Sequence, residues 1–419
     1  MSPIRALIAM FQQFKRRLFY GWVIVVAVLI ITSTLIGTRF SFGVFFKFFA
    51  SEFDITRAAT SSIFSIHMVF VAFSAVFIGW ALDRYGLKLI VSFMGIFAGL
   101  SLLITSQVTS LWQMYLSYSL LLALGVGGFM PLIMTVVPRW FNKKRGLALG
   151  ITTSGLGMGP MIMAPFAAYL VTNMGWRISY IIIGAITLIV ILSATRLLRK
   201  EPNEIGTFPD GIEPEAKSGG SLNGMATPDL NTLSYLQTLK RKKFWFMFTM
   251  WLLWATNANL ITTHIIPYAT DAGISNIEAS TIVSIMGGVQ ILSRLLFGRI
   301  SDVIGRRIPA VICALLGSGA ILWLLWSHDL PMFYLFAIVF GLGWGGLGVN
   351  LVTLSSEIFA SPNLGAIFGT LEMGYALGAA VGPLIGGAIF DMTGNYAIAF
   401  IVGANTMLII AFLVIVTRR

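Results

Sequence analysis

The chain has 419 residues, of which 57% are apolar and only 11% charged, and its mean hydropathy is +0.88. No water-soluble domain of this size carries so apolar a composition, so the sequence reads as an integral membrane protein with the lipid bilayer as its medium. A formal net charge of +12 would in a soluble protein point to nucleic acid, but the placement of the basic residues excludes that partner.

A helix needs roughly 20 apolar residues to cross ~30 Å of hydrocarbon. Twelve stretches qualify: 20–46, 59–82, 89–107, 112–137, 146–172, 178–196, 244–270, 278–300, 308–327, 332–356, 365–390 and 396–416. The basic segment Phe11 to Arg17 precedes the first, whose apolar run is too long for a signal-peptide core and lacks a clear cleavage site. Residues 1–19 are therefore read as a cytoplasmic N-terminus. Between the sixth and seventh spans, Glu201 to Asn231 is rich in Pro, Gly, Ser and acidic residues, as a flexible linker is. Leu233 to Lys243 then mixes apolar residues with Lys240, Arg241, Lys242 and Lys243, the pattern of an interfacial helix. The predicted organisation is an N-terminal six-helix bundle over 20–196, a cytoplasmic linker with its interfacial helix over 197–243, and a C-terminal six-helix bundle over 244–417.

With the N-terminus inside, only Lys47, Arg57 and Arg177 of the 28 basic residues fall outside, and only Arg39 and Arg294 fall within spans. Such a bias orients helices, with both termini cytoplasmic, and does not read phosphates. The expected location is the cell membrane, of the cytoplasmic (inner) kind. Cys313 is the sole cysteine and His67, His264 and His328 are scattered, so neither a disulfide within the monomer nor a local metal motif is expected. No nucleotide loop or activated nucleophile is evident; glycine runs such as Gly341 to Gly346 lie inside spans. The reading is of a protein that is not an enzyme and uses no cofactor. Nothing in the sequence bears on oligomeric state.

The two halves share internal signals. Gly79, Asp83, Gly86 and Lys88 recur as Gly298, Asp302, Gly305 and Arg307 at one common displacement. Gly146, Gly155, Gly159 and Pro160 recur as Gly369, Gly378, Gly382 and Pro383 at a nearly equal one. Ordered matches of this kind signal a repeat, and parallel six-helix repeats with a midplane site between them are a transporter architecture. The two loop segments, with Arg84 and Arg306 beside their glycines, resemble the loop signature of the major facilitator superfamily. That resemblance covers essentially the whole chain and implies an all-α membrane fold of twelve helices in two pseudo-symmetric bundles.

Trp140-Phe141-x-Lys143-Lys144-Arg145-Gly146, Tyr20-Gly21-Trp22, Phe42-Gly43-Val44-Phe45-Phe46 and Ile205-Gly206-x2-Pro209-Asp210-Gly211 are similar to the monocarboxylate transporter and oxalate/formate antiporter group. In that group an arginine four residues before the second loop glycine pairs with the substrate carboxylate; here Arg294 stands four before Gly298. Helix geometry agrees, because eight residues at ~1.5 Å put Arg294 about 12 Å from Asp302, near the midplane of a ~30 Å core. A guanidinium is always charged and its planar fork suits a carboxylate. A buried structural pairing within the bundle is the alternative.

The resemblance also marks departures. Proton-coupled animal members carry an aspartate one turn before the arginine, where this chain has Gln290, which cannot carry a proton. The exchanger pattern has a lysine in the eleventh span, where this chain has Tyr375. Lacking that cation, a second carboxylate would be poorly neutralised, which favours a substrate with one. Arg39, toward the outer end of the first span, either attracts anions to the mouth or snorkels. His264 sits where bacterial members often carry histidine; it contacts substrate, transfers protons, or bonds a nearby backbone carbonyl beside Pro267. Glu372 is the carboxylate well inside the eleventh span and the preferred coupling candidate, and Tyr118 faces the cavity from the fourth span.

The expected function is secondary transport of a small monocarboxylate such as lactate or pyruvate, by alternating access and with proton symport. Arg294 binds the carboxylate while Gln290, Tyr375, His264 and Tyr118 shape the site, and Glu372, His264 and Arg39 are candidates for coupling. The rivals are a carboxylate exchanger, a multidrug exporter and a transporter-like sensor.

Overall fold

The computed structural model describes residues 19–141, 143–211, 235–359 and 364–417. The segment Phe11 to Arg17 and positions 212–234 of the expected linker and interfacial helix lie outside these. Within them the chain is helical, without strands.

Helix α1 (Gly21–Phe40) runs with a small break into α2 (Phe42–Glu52), and α3 (Arg57–Tyr85) and α4 (Leu87–Thr105) follow. The fourth crossing is assembled from α5 (Leu111–Met114), a π-helical turn (Tyr115–Leu121), α6 (Leu122–Val126) and α7 (Phe129–Trp140). Helices α8 (Arg145–Thr153) and α9 (Gly155–Leu197) complete the first half. After α10 (Tyr235–Leu239), the second half contains α11 (Lys242–Asp271), α12 (Asn276–Ile304), α13 (Arg307–Trp323), α14 (Leu330–Ile358), α15 (Leu364–Thr393) and α16 (Ala397–Val416).

Among the described residues ten stretches are long and apolar enough to cross a bilayer. One of them, Arg145–Leu197, contains two crossings, because Gly175 breaks the helix with φ 78° and ψ 165°. Helix α11 is diluted by Asn257, Asn259, Thr262, Thr263 and His264, all buried inside the protein. Counting both, the crossings among the described residues number twelve.

The internal repeat is visible in the packing. The first crossing lies on the fifth, the second on the fourth and the third on the sixth; the seventh on the eleventh, the eighth on the tenth and the ninth on the twelfth follow the same scheme. Thr56 caps α3 by accepting from the Ala59 N–H at 3.2 Å. At the equivalent place Ser275 caps α12, in a reciprocal box with Glu278, which satisfies backbone donors at the helix start. The glycine-proline repeats serve close packing: a Cβ on Gly159 would collide with the Ser33 carbonyl of α1, and one on Gly382 with the Thr256 carbonyl of α11. The halves meet along α3 with α15, α9 with α12, and α2 with α11.

Large apolar side chains cover the outside of the bundle; Phe73 is 71% and Val76 76% exposed. In water such a surface would drive association, and a bilayer removes that cost. After the sixth crossing the chain folds back on the α7–α8 junction. Trp140 Nε1 donates to the Arg199 carbonyl at 3.1 Å, and the Asp210 carboxylate accepts from the Lys143 N–H at 2.6 Å. Two of the sequence segments that carried the group resemblance thus touch.

Candidate functional site

Arg294 projects from α12 half-buried at the seam between the halves. Its Nη1 donates to the Thr153 carbonyl of the opposite half at 3.4 Å. That carbonyl is spare because the helix bends there: the Gly157 N–H goes to the Ser154 oxygen instead. Among the described residues no carboxylate lies within ion-pair distance of Arg294. Gln290, one turn earlier, is buried against Gly345 of α14. Tyr375 of α15 is half-buried, within electrostatic range of Arg294 and with its ring 5.3 Å from that of Trp254.

Arg39 is placed differently from the sequence expectation. The first helical stretch continues to Glu52, past the predicted end at 46, so residue 39 falls mid-span. At 4% exposure it neither snorkels nor lines an outer mouth. Its Nη2 meets the Met68 sulfur at 2.8 Å, and Tyr375, Tyr118 and Glu372 surround it. Glu372 itself is exposed. Tyr118 is fully buried among Phe42, His67 and Tyr180, and its hydroxyl reaches the Arg39 carbonyl at 3.4 Å. The π-helical turn presents it, with the Ser101 hydroxyl bonding the Ser117 carbonyl at 2.8 Å. Such turns interrupt regular helices frequently at functional sites. The structure therefore gathers Arg39, Tyr118, Glu372 and Tyr375, with Arg294 joined through Tyr375.

His264 belongs elsewhere. It is fully buried, with Nε2 2.8 Å from the Pro383 carbonyl and Nδ1 3.1 Å from the Tyr396 hydroxyl. The carbonyl can only accept, so Nε2 carries the proton and Nδ1 accepts from Tyr396. This histidine stands in a clasp that sequence reading did not find. Arg57 donates to both oxygens of Asp271, at 2.7 and 3.0 Å, and to the Tyr396 hydroxyl at 2.8 Å. Lys47 reaches Asp271 at 2.6 Å, and Asp391 accepts the Arg57 and Ala58 backbone N–H groups at the start of α3. Lys47 and Arg57 come from the first half; Asp271, Asp391, Tyr396 and His264 come from the second. One signal was available: Lys47, Arg57 and Arg177 were the basic residues left on the sparsely charged side, and each is paired, Arg177 with Glu52 at 2.7 Å.

Comparison with known proteins settles the lineage. The family model described as Major Facilitator Superfamily matches residues 28–288 and 259–419. The chain belongs to that superfamily. It is 25% identical over 408 residues to "Monocarboxylate transporter 12" of Xenopus laevis, covering 94% of this chain and 88% of that protein. To "Monocarboxylate transporter 2" of Homo sapiens it is 23% identical over 410 residues, covering 93% and 85%. Among solved structures, a bacterial homolog to the human lysosomal transporter Spinster, inward-facing and unoccupied, superposes with a TM-score of 0.70 at 17% identity, over 95% of each chain. That likeness concerns the fold.

As a superfamily transporter, this chain has its loop motifs at the end of the bundle opposite the clasp. Gly86 (φ 92°) and Gly305 (φ 84°) have the same left-handed turn conformation, with nothing near the place a Cβ would take. There glycine is needed for the turn and not for a contact. Gly79 and Gly298 sit in ordinary contact with Pro131 and Val349. Arg84 stacks near Trp80 and Tyr85. Asp302 pairs with Arg306 at 2.5 Å, and Arg306 also reaches Glu357 and Ser301. The acid thus holds its own loop's arginine. Asp83 lies in the last turn of α3, at the equivalent place.

Proposed function

We propose that this transporter carries small monocarboxylates of the lactate and pyruvate kind, the two halves rocking about a site centred on Arg294. The observation that carries the reading is a half-buried guanidinium at the seam whose one hydrogen bond among the described residues is a long one to a carbonyl. A permanently charged group held in that way has donors to spare, and a carboxylate offers two oxygens in the matching geometry. The names of the curated relatives, monocarboxylate transporters 12 and 2, support the substrate class. Gln290 and Tyr375 shape the pocket, and Tyr118 braces it through Arg39.

Both termini are assigned to the cytoplasm on the charge bias, in a cell membrane of the cytoplasmic kind, which puts the clasp of Arg57 and Asp271 outside. Proton symport is the favoured energy source, with Glu372 as the carrier: it is the carboxylate that faces Arg39, and a returning proton keeps the loaded and empty site close in charge. Counterflow in proteoliposomes tests the reading. Wild-type protein exchanges labelled lactate or pyruvate, and Arg294→Lys, which keeps the charge and loses the fork, falls at least about tenfold. Unimpaired exchange by Arg294→Lys defeats recognition by the fork. Uptake that ignores a pH gradient and accelerates only with an internal anion favours the exchanger over the symporter.

A further inference from the structure

Where α2 of the first half meets α11 of the second, Gly43 lets the helices touch: a Cβ there would stand 2.9 Å from the Thr262 carbonyl. Further out the space between them is not filled. A cavity of about 270 Å³ lies there, lined among others by Val44, Lys47 and Phe48 of α2, Ile266 of α11, Ile274 of the turn after it and Asn276 at the start of α12. Its walls come from both halves and adjoin the clasp. It is remote from the substrate arginine, since the eighteen residues of α12 between Asn276 and Arg294 span about 27 Å. The space would take about nine water molecules at liquid density, but most of its wall is apolar. Two groups on that wall have hydrogen-bond donors available. The Lys47 ammonium has three N–H bonds, and its ion pair with Asp271 at 2.6 Å needs one. Asn276 Nδ2 is shielded from solvent and has no partner. The carboxylates of this end are already engaged: Asp271 accepts from Arg57 as well as Lys47, Asp391 accepts the Arg57 and Ala58 backbone N–H groups, and Glu278 closes the helix cap with Ser275. An apolar space with an ammonium and an amide at its wall is complementary to a carboxylate with an alkyl tail.

We propose that this cavity is a binding site for a medium-chain monocarboxylate of about eight to ten heavy atoms, its alkyl chain between α2 and α11 and its carboxylate on Lys47 and Asn276. Such an occupant touches both halves, so the site exists only while the outer ends are together. Separating them destroys it, and by linkage the bound acid holds the outer end closed. It is therefore an inhibitor of uptake that acts away from the substrate site. The site does not depend on which acid Arg294 carries.

The experiment follows labelling of full-length Ser61→Cys protein in proteoliposomes by a membrane-impermeant maleimide, with octanoate, octanol or acetate added outside. Ser61 is fully buried at this end, and the native Cys313 is buried as well. Octanoate at ten times its Kd slows labelling about tenfold, as a ligand of the closed state alone requires, while octanol and acetate at the same concentration leave the rate unchanged. Adding Lys47→Gln, which removes the cation, or Ile274→Trp, which fills the cavity, abolishes the slowing. The quantity compared is the ratio of rates with and without octanoate, so that a change in the clasp itself cancels. Adding Arg294→Lys leaves that ratio as it was. Octanol slowing labelling as much as octanoate overturns the proposal, and so does a slowing that survives both cavity variants or an octanoate that speeds labelling. A slowing lost in Arg294→Lys overturns it too, because it moves octanoate to the substrate site. The carboxylate transport reading fails or stands separately, since no transport is measured here.

Discussion

Arg57 and Asp271 hold each other through two hydrogen bonds, of 2.7 and 3.0 Å, across the seam between the halves. Asp271 also neutralises Lys47, so one carboxylate serves two cations of the opposite half. Both partners keep some contact with solvent, the Asp271 side chain at 33%, and screening limits what the pair contributes.

Asp271→Asn removes that charge and should weaken closure of the clasp end by about 1 kcal/mol, a roughly fivefold rise in the open population. The reporter is a cysteine at the fully buried Ser61, labelled by a membrane-impermeant maleimide; the native Cys313 is itself buried. A labelling rate unchanged by Asp271→Asn would show that the pair does not hold the end shut.

Gly382→Ala forces a methyl group against the Thr256 carbonyl, and over-packing of that kind costs about 1–3 kcal/mol. Gly369→Ala, at a repeat position with open space around it, serves as control. Thermal unfolding in detergent should fall for the first and stay unchanged for the second.

His264→Gln should leave the pH dependence of uptake in place. Both ring nitrogens are occupied by Pro383 and Tyr396, and the residue lies in the clasp, apart from the group around Arg39. A flattened pH profile in this variant would return His264 to the coupling path.

Asp210→Asn tests the fold-back after the sixth crossing. The carboxylate accepts the Lys143 N–H at 2.6 Å and the Lys144 N–H at 3.4 Å, at the start of α8. Charge-assisted capping bonds of this type contribute about 1–2 kcal/mol, so thermal stability should fall measurably while substrate selectivity stays as it is.

The crossings and the repeat were legible in the sequence because both are local or periodic. A span declares itself by its own twenty residues, and Gly79 with Gly298 declare the repeat by spacing. Arg294 was legible for a related reason, a charge in an apolar run being conspicuous. The clasp was not, since Arg57, Asp271 and Asp391 are ordinary charges near helix ends, and nothing local says that residues so distant in the chain meet. Arg39 was found but misplaced: the predicted span stopped at 46, before the charge of Lys47, whereas the helix runs on to Glu52, which sets its depth. The π-helical turn under Tyr118 had no sequence signal at all, because the Ser101 hydroxyl that bonds its carbonyl comes from a neighbouring crossing.

If Arg294 holds the carboxylate as proposed, its bond to Thr153 is the one in which the site and the seam are the same object. A carboxylate that takes both terminal nitrogens of Arg294 competes with Thr153 for the same donor, so loading the site removes a strut between the halves. At 3.4 Å the strut is weak enough for a small anion to displace, and linkage then requires that whatever separates the halves there also raises affinity for the anion.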